Sequence, residues 1–175
     1  DGQLDDTQII LRTEVLSALQ QERPVVIVTH PEALAEPVVS RKQLDNYSLA
    51  LAKGQNISPQ KAVNHLVEIG FERVDYVYHP GQVALRGSIL DIFSYSHDMP
   101  YRVDFFGDDI DSIRTFAIDT QLSVEMLEKI NIVPSLVNQT EVAQTLFDLL
   151  DAECLCCMYD MQYIVDTISS MEVPQ

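Results

Sequence analysis

From Phe71 to Phe116 the chain reads FERVDYVYHPGQVALRGSILDIFSYSHDMPYRVDFFGDDIDSIRTF. Side-chain character alternates with a period of two, broken only by short turn-forming clusters. That pattern predicts an antiparallel meander. In the first predicted strand, residues 73–79, Val74, Tyr76 and Tyr78 point one way, and Arg73, Asp75 and Val77 the other. His79-Pro80-Gly81-Gln82 has a type II turn signature, since proline pre-sets φ at the second position and glycine supplies a positive φ at the third. The second predicted strand covers residues 82–95, with Arg86-Gly87 as a bulge or close backbone approach. Asp98-Met99-Pro100 reads as a loop, residues 101–106 as a third strand, and Gly107-Asp108 as a turn into a fourth over 109–116. Four such strands suffice for an independent small sheet.

Charge narrows the choice of partner. The net charge is −16, and it is unevenly spread. Residues 41–120 carry eight Lys/Arg against eleven Asp/Glu, while the rest carries three against sixteen. So acidic a surface repels phosphate backbones, and the chain alone is not expected to bind nucleic acid. The arginine-rich middle could still receive a protein. A length of 175 residues allows one or two domains, and no apolar run approaches a membrane span. Asp1-Gly2-Gln3-Leu4 has no initiator methionine and no leader pattern, as expected of a segment of a longer chain. Cys154, Cys156 and Cys157 form no disulfide framework and favour a reducing compartment.

The flanks read differently from the middle. Residues 7–21 place Ile10, Leu11, Val15, Ala18 and Leu19 near one helical face. PVVIVT, residues 24–29, predicts a strand buried on both sides, and Pro31 opens a short helix that Pro37 stops. Residues 44–52 predict a strand, followed by a turn at Lys53-Gly54. Ser58-Pro59 begins a helix whose apolar side is Ala62, Val63, Leu66, Val67 and Ile69, ending at Gly70. Beyond the meander, a helix is expected over 122–128, strands over 129–133 and 154–159, and helices over 140–150 and 161–171. The middle is thus α+β, a small antiparallel meander with a helix, between flanks of α/β character.

No catalytic motif stands out. Cys-x-Cys-Cys on a strand sends alternate thiols to opposite faces, and these cysteines are expected as buried strand residues rather than metal ligands. His30, His65, His79 and His97 are scattered, and Asp108 and Asp109 suit a hairpin turn better than a metal pair. No phosphate-binding loop or serine elbow is present. Arg86, with Ser88, lies opposite in parity to Leu85, Ile89 and Phe93, while Arg102 and Asp104 lie opposite to Tyr101, Val103 and Phe105. Antiparallel pairing can set Arg86, Arg102 and Asp104 on one open face. Patterning leaves open whether that face receives a partner or is merely solvated.

Several segments carry a resemblance. GFERVD (70–75), PGQVALRG (80–87), ILDIF (89–93), PYRVDFFG (100–107) and DIDSIR (109–114) resemble the UvrB-like interaction domain of the bacterial transcription-repair coupling factor (Mfd) family. The resemblance implies three parts. Residues 41–120 would be the UvrA-interaction domain, similar to the second domain of UvrB, with 1–40 and 121–175 as parts of a degenerate helicase-like α/β domain. It implies UvrA as partner, with Arg73, Arg86, Phe93, Arg102 and Asp104 facing it. Where UvrB-type sequences have a further arginine two places before Arg86, this chain has Ala84. The resemblance further implies a cytoplasmic parent protein, an ATP-dependent DNA translocase that displaces stalled RNA polymerase in transcription-coupled excision repair. Its motor would use ATP and magnesium, and it would reach polymerase and DNA through other domains. This chain would contribute no enzyme and no cofactor of its own. The UvrB excision-repair subunit is the alternative. Truncating Arg86 or Arg102 is expected to cost partner binding while sparing the fold.

Overall fold

Gly87 and Gly107 set the parity of the sheet. In this computed structural model, which describes residues 6–19, 24–40, 46–135 and 144–171, both stand at positive φ, +61° and +65°. Each opens a two-residue hairpin connection, where a glycine at the first central position matches the twist of the flanking strands. Residues 82–95 are therefore not one bulged strand. They form β3 (Gln82–Arg86) and β4 (Ile89–Phe93), with Arg86 opposite Ile89. Gly107 likewise joins β5 (Tyr101–Phe106) to β6 (Asp109–Phe116), as expected from the alternation.

The sheet has six strands in the order β2-β3-β4-β5-β6-β7. At one edge, β2 is only Glu72–Arg73 and runs parallel to β3, so most of the first predicted strand is irregular. At the other edge lies β7, Ser123–Leu127, where a helix was expected. A separate two-stranded ribbon pairs β1 (Leu49–Ala52) with β8 (Lys129–Ile132). Among the helices, α1 is Asp6–Leu19, α2 Pro31–Ala35, α3 Pro59–Glu68, α4 Leu146–Leu149 and α5 Met161–Ser170.

One face of the sheet is closed by α3 and the ribbon. Ala62, Val63 and Leu66 of α3 meet Val83, Leu90, Ile92, Val103, Phe105 and Ile113, and Leu51, Ile130 and Ile132 complete the cluster. Val67 is exposed, because it lies off the buried side of α3. A second cluster joins Leu16 of α1 to Val38, Val39, Val133 and Leu149. The face of α1 is accordingly rotated from the predicted one: Thr13, Leu16 and Ser17 are buried and Leu11 is exposed. Thr145 caps α4 reciprocally with Asp148, whose carboxyl is held below its ordinary range by the backbone N–H of Thr145 and then by its hydroxyl. The predicted start of that helix, at 140, falls outside the described residues.

Two predicted flank strands do not form. Residues 24–29 form no strand with any described residue, and Val26 is 94% and Val28 92% exposed. Residues 154–159 are irregular and exposed, so the three cysteines are surface thiols and not buried strand residues. A strand needs a neighbour for its backbone groups, and no described strand lies beside either run. The described residues hold no group of three or more His, Cys, Asp or Glu that could bind a metal. No described helix is long and apolar enough to cross a membrane.

Tyr101 supplies a pH test of the packing. Its side chain is buried at the start of β5, and loss of solvent pushes its phenol up to about 12 from an ordinary 10. The folded state thus holds the proton more tightly than the unfolded chain. The resulting stabilisation, about 2–3 kcal/mol at most, is complete below pH 10 and is lost as pH rises from 10 to 12. Alkaline unfolding should set in across that window, and Tyr101→Phe should flatten it in denaturant titrations at fixed pH.

Candidate functional site

The other face of the sheet is built around a carboxylate. Asp91 on β4 lies opposite Ala84 of β3 and Arg102 of β5. It is only 1% exposed, and an aspartate so buried must be paired or hydrogen-bonded. Arg102 grips it from one side, Nε to Oδ1 at 2.7 Å and Nη2 to Oδ2 at 2.9 Å. Arg86 reaches it from the other, Nη2 to Oδ2 at 2.5 Å. Bidentate guanidinium–carboxylate pairs of this kind combine charge with fixed geometry. The Asp91 carboxylate also holds the Arg102 guanidinium charged above its ordinary range.

Each arginine has further anchors. The Arg86 guanidinium lies 4.7 Å from the centroid of the Tyr76 ring, and its Nη1 donates to the Asp75 carbonyl at 2.9 Å. Arg102 stacks 4.1 Å from the centroid of the Phe116 ring, and its Nη2 donates to Gln121 Oε1 at 2.8 Å. Gln121 sits at φ +59°, the described non-glycine residue in the left-handed region. Beside this cluster Asp104 accepts from Arg114 and from the Ser112 hydroxyl. Arg102 and Arg114 are cross-strand neighbours, and a like-charged pair there would repel. Asp91 and Asp104 each neutralise one of them.

Of the residues singled out from sequence, Arg86, Arg102 and Asp104 share this face. Arg73 does not join them. It is exposed on β2, opposite the core-facing Val83, and so leaves the sheet edge on the other side. Phe93 has the parity of Arg86 but is 5% exposed, covered with Ala84 by Val77 and Phe116. It braces the face and offers a partner no surface. Ile89 also moves to the arginine face, opposite Asp104, because the hairpin reverses the parity expected of a continuous strand. Asp91, Arg114 and Tyr76 were missed. An aspartate inside the apolar run ILDIF was the available signal for Asp91.

Solvent access divides the arginines. The Arg86 side chain remains 32% exposed and that of Arg102 only 13%. Two strands beyond Arg102, the edge strand β7 exposes Val124 and Met126, with Leu122 just before it. A face with partly exposed, hydrogen-bonded guanidinium groups and exposed apolar side chains suits protein recognition.

Residues 49–136 match the UvrB interaction domain family, a range that contains the whole arginine face and both sheets. The chain is 35% identical over 124 residues to the transcription-repair-coupling factor of Escherichia coli K12, covering 71% of this chain and 11% of that protein. It is 32% identical over 124 residues to the factor of Bacillus subtilis 168, covering 71% and 10%, and 32% identical over 124 residues to that of Haemophilus influenzae Rd, covering 71% and 11%. The chain thus spans about a tenth of the length of these curated relatives. By the match over residues 49–136, it belongs to the UvrB interaction domain family.

Proposed function

We propose that this chain is the UvrA-recruiting region of a transcription-repair coupling factor. The observation that carries this reading is that the family match spans the arginine face, the part of the surface with ordered, partly exposed guanidinium groups. Such groups recognise carboxylates on a protein partner. Similarity to coupling factors favours this assignment over the UvrB excision-repair subunit. On this reading the parent is a cytoplasmic ATP-dependent translocase whose motor, polymerase and DNA contacts lie elsewhere, and this chain recruits without catalysing. Residues 24–29 and 154–159 would then be strands of a helicase-like layer completed by the remainder of the parent protein.

Calorimetric titration of the chain into UvrA tests the reading. Saturable binding is expected, with Arg86→Ala weakening it about thirtyfold, as central interface arginines do. Asp104→Lys should weaken it as well, by setting a like charge beside Arg114. Arg73→Ala, on the opposite side of the edge, should have little effect. Absence of binding by the parent chain would sink the assignment.

A further inference from the structure

We propose that Asp91 is the positioning residue of this face: it fixes the Arg86 guanidinium for a partner carboxylate, and Arg102 acts through it rather than on the partner. The inference rests on the UvrA-binding reading above. Its basis is the division of labour around one buried carboxylate. Arg102 spends Nε and Nη2 on Asp91 and adds Gln121, leaving its side chain 13% exposed and poorly placed to meet another protein. Arg86 spends one nitrogen on Asp91 and another on the Asp75 carbonyl, lies against Tyr76, and keeps 32% of its side chain accessible.

Three contacts from three directions hold the Arg86 guanidinium in one plane. An arginine on an open sheet would otherwise sample many rotamers and lose that freedom on binding. Asp91 alone would leave a buried cluster of one positive and one negative charge. With Arg102 added, the cluster carries a net positive charge that a partner's carboxylate can meet without displacing Asp91. Arg102 therefore neutralises the anchor, and Arg86 carries the recognition.

The test is a double-mutant cycle in the whole 175-residue chain, titrated into UvrA, with melts alongside. Asp91→Asn keeps the shape and one acceptor but removes the charge. It should weaken binding about tenfold, and the Arg86→Ala/Asp91→Asn pair should bind no worse than Arg86→Ala alone. Additive losses, or an Asp91→Asn chain that binds like the parent, would overturn the positioning role while leaving the UvrA reading in place. An Arg86→Ala chain that binds like the parent would remove both. Nitrogen-detected NMR of the unmutated chain gives a readout that needs no variant. Restrained rotation should give Arg86 separate Nη signals that persist when UvrA is added. A single averaged signal in the free chain would contradict the proposal even if Asp91→Asn failed to fold.

Discussion

Arg102→Ala should destabilise the fold by about 3–5 kcal/mol, the usual cost of stripping one partner from a buried ion pair. The sequence pattern suggests an exposed arginine whose removal would cost partner binding but spare the fold. The structure overturns that expectation, because Arg102 makes two of the three ionic hydrogen bonds to a carboxylate that is 1% exposed. The substitution also removes the stack on Phe116. With roughly 4–8 °C lost per kcal/mol in a domain of this size, the melting temperature should fall by more than about 10 °C. Arg86→Ala should cost less, since Arg102 still holds Asp91. Replacing both members of the pair, as Asp91→Leu with Arg102→Met, should recover much of the loss. Urea titrations of the four proteins decide the matter. An Arg102→Ala chain that melts with the parent would show that Asp91 is not held as described. Lost UvrA binding in Arg102→Ala would then need to be read against its melt before it is taken as a lost contact.

A chain cut to residues 41–120 should fail to fold cooperatively. It would lack β7 and β8, and with them Leu127, Ile130 and Ile132 of the main cluster, leaving Leu51 without its ribbon partner. We propose instead that the self-sufficient unit runs from about residue 46 to 135, which holds both sheets and α3. Circular dichroism and dye binding separate the outcomes. The shorter chain should bind ANS and melt without a transition, and the longer should unfold in a single step. Cooperative unfolding of 41–120 would show that the ribbon is dispensable.

The legible parts of this fold are those with local causes. Ser58-Pro59 and Gly70 bracket α3, and strict alternation marks β5 and β6. Gly87 was recognised as special, but a bulge and a hairpin both ask for positive φ there. A single continuous strand keeps one parity through residue 93 and sets Asp91 and Ile89 away from Arg86. The hairpin reverses the chain and brings them to its face. The segment LSVEML could follow either period over so few residues, and its pairing with β6 decided for a strand. The valine run at 25–28 has the composition of a buried strand, but composition cannot supply the neighbouring strand. The arginine face was visible as a set of polar residues of matching parity. Its organisation around Asp91 was not, because a buried charge is defined by cross-strand partners.

The ribbon of β1 and β8 has a kinetic consequence. Its paired residues, such as Leu51 and Ile130, stand about 80 residues apart in the chain. The hairpins at Gly87 and Gly107 close loops of two residues, so their contacts form at far smaller entropic cost. During synthesis the meander can pair as soon as residue 116 is free. The cluster beneath it is completed only by residues 129–132, leaving Leu51 without its ribbon partner in the interval. The last few residues of the domain act as a latch that completes the core beneath a sheet already paired.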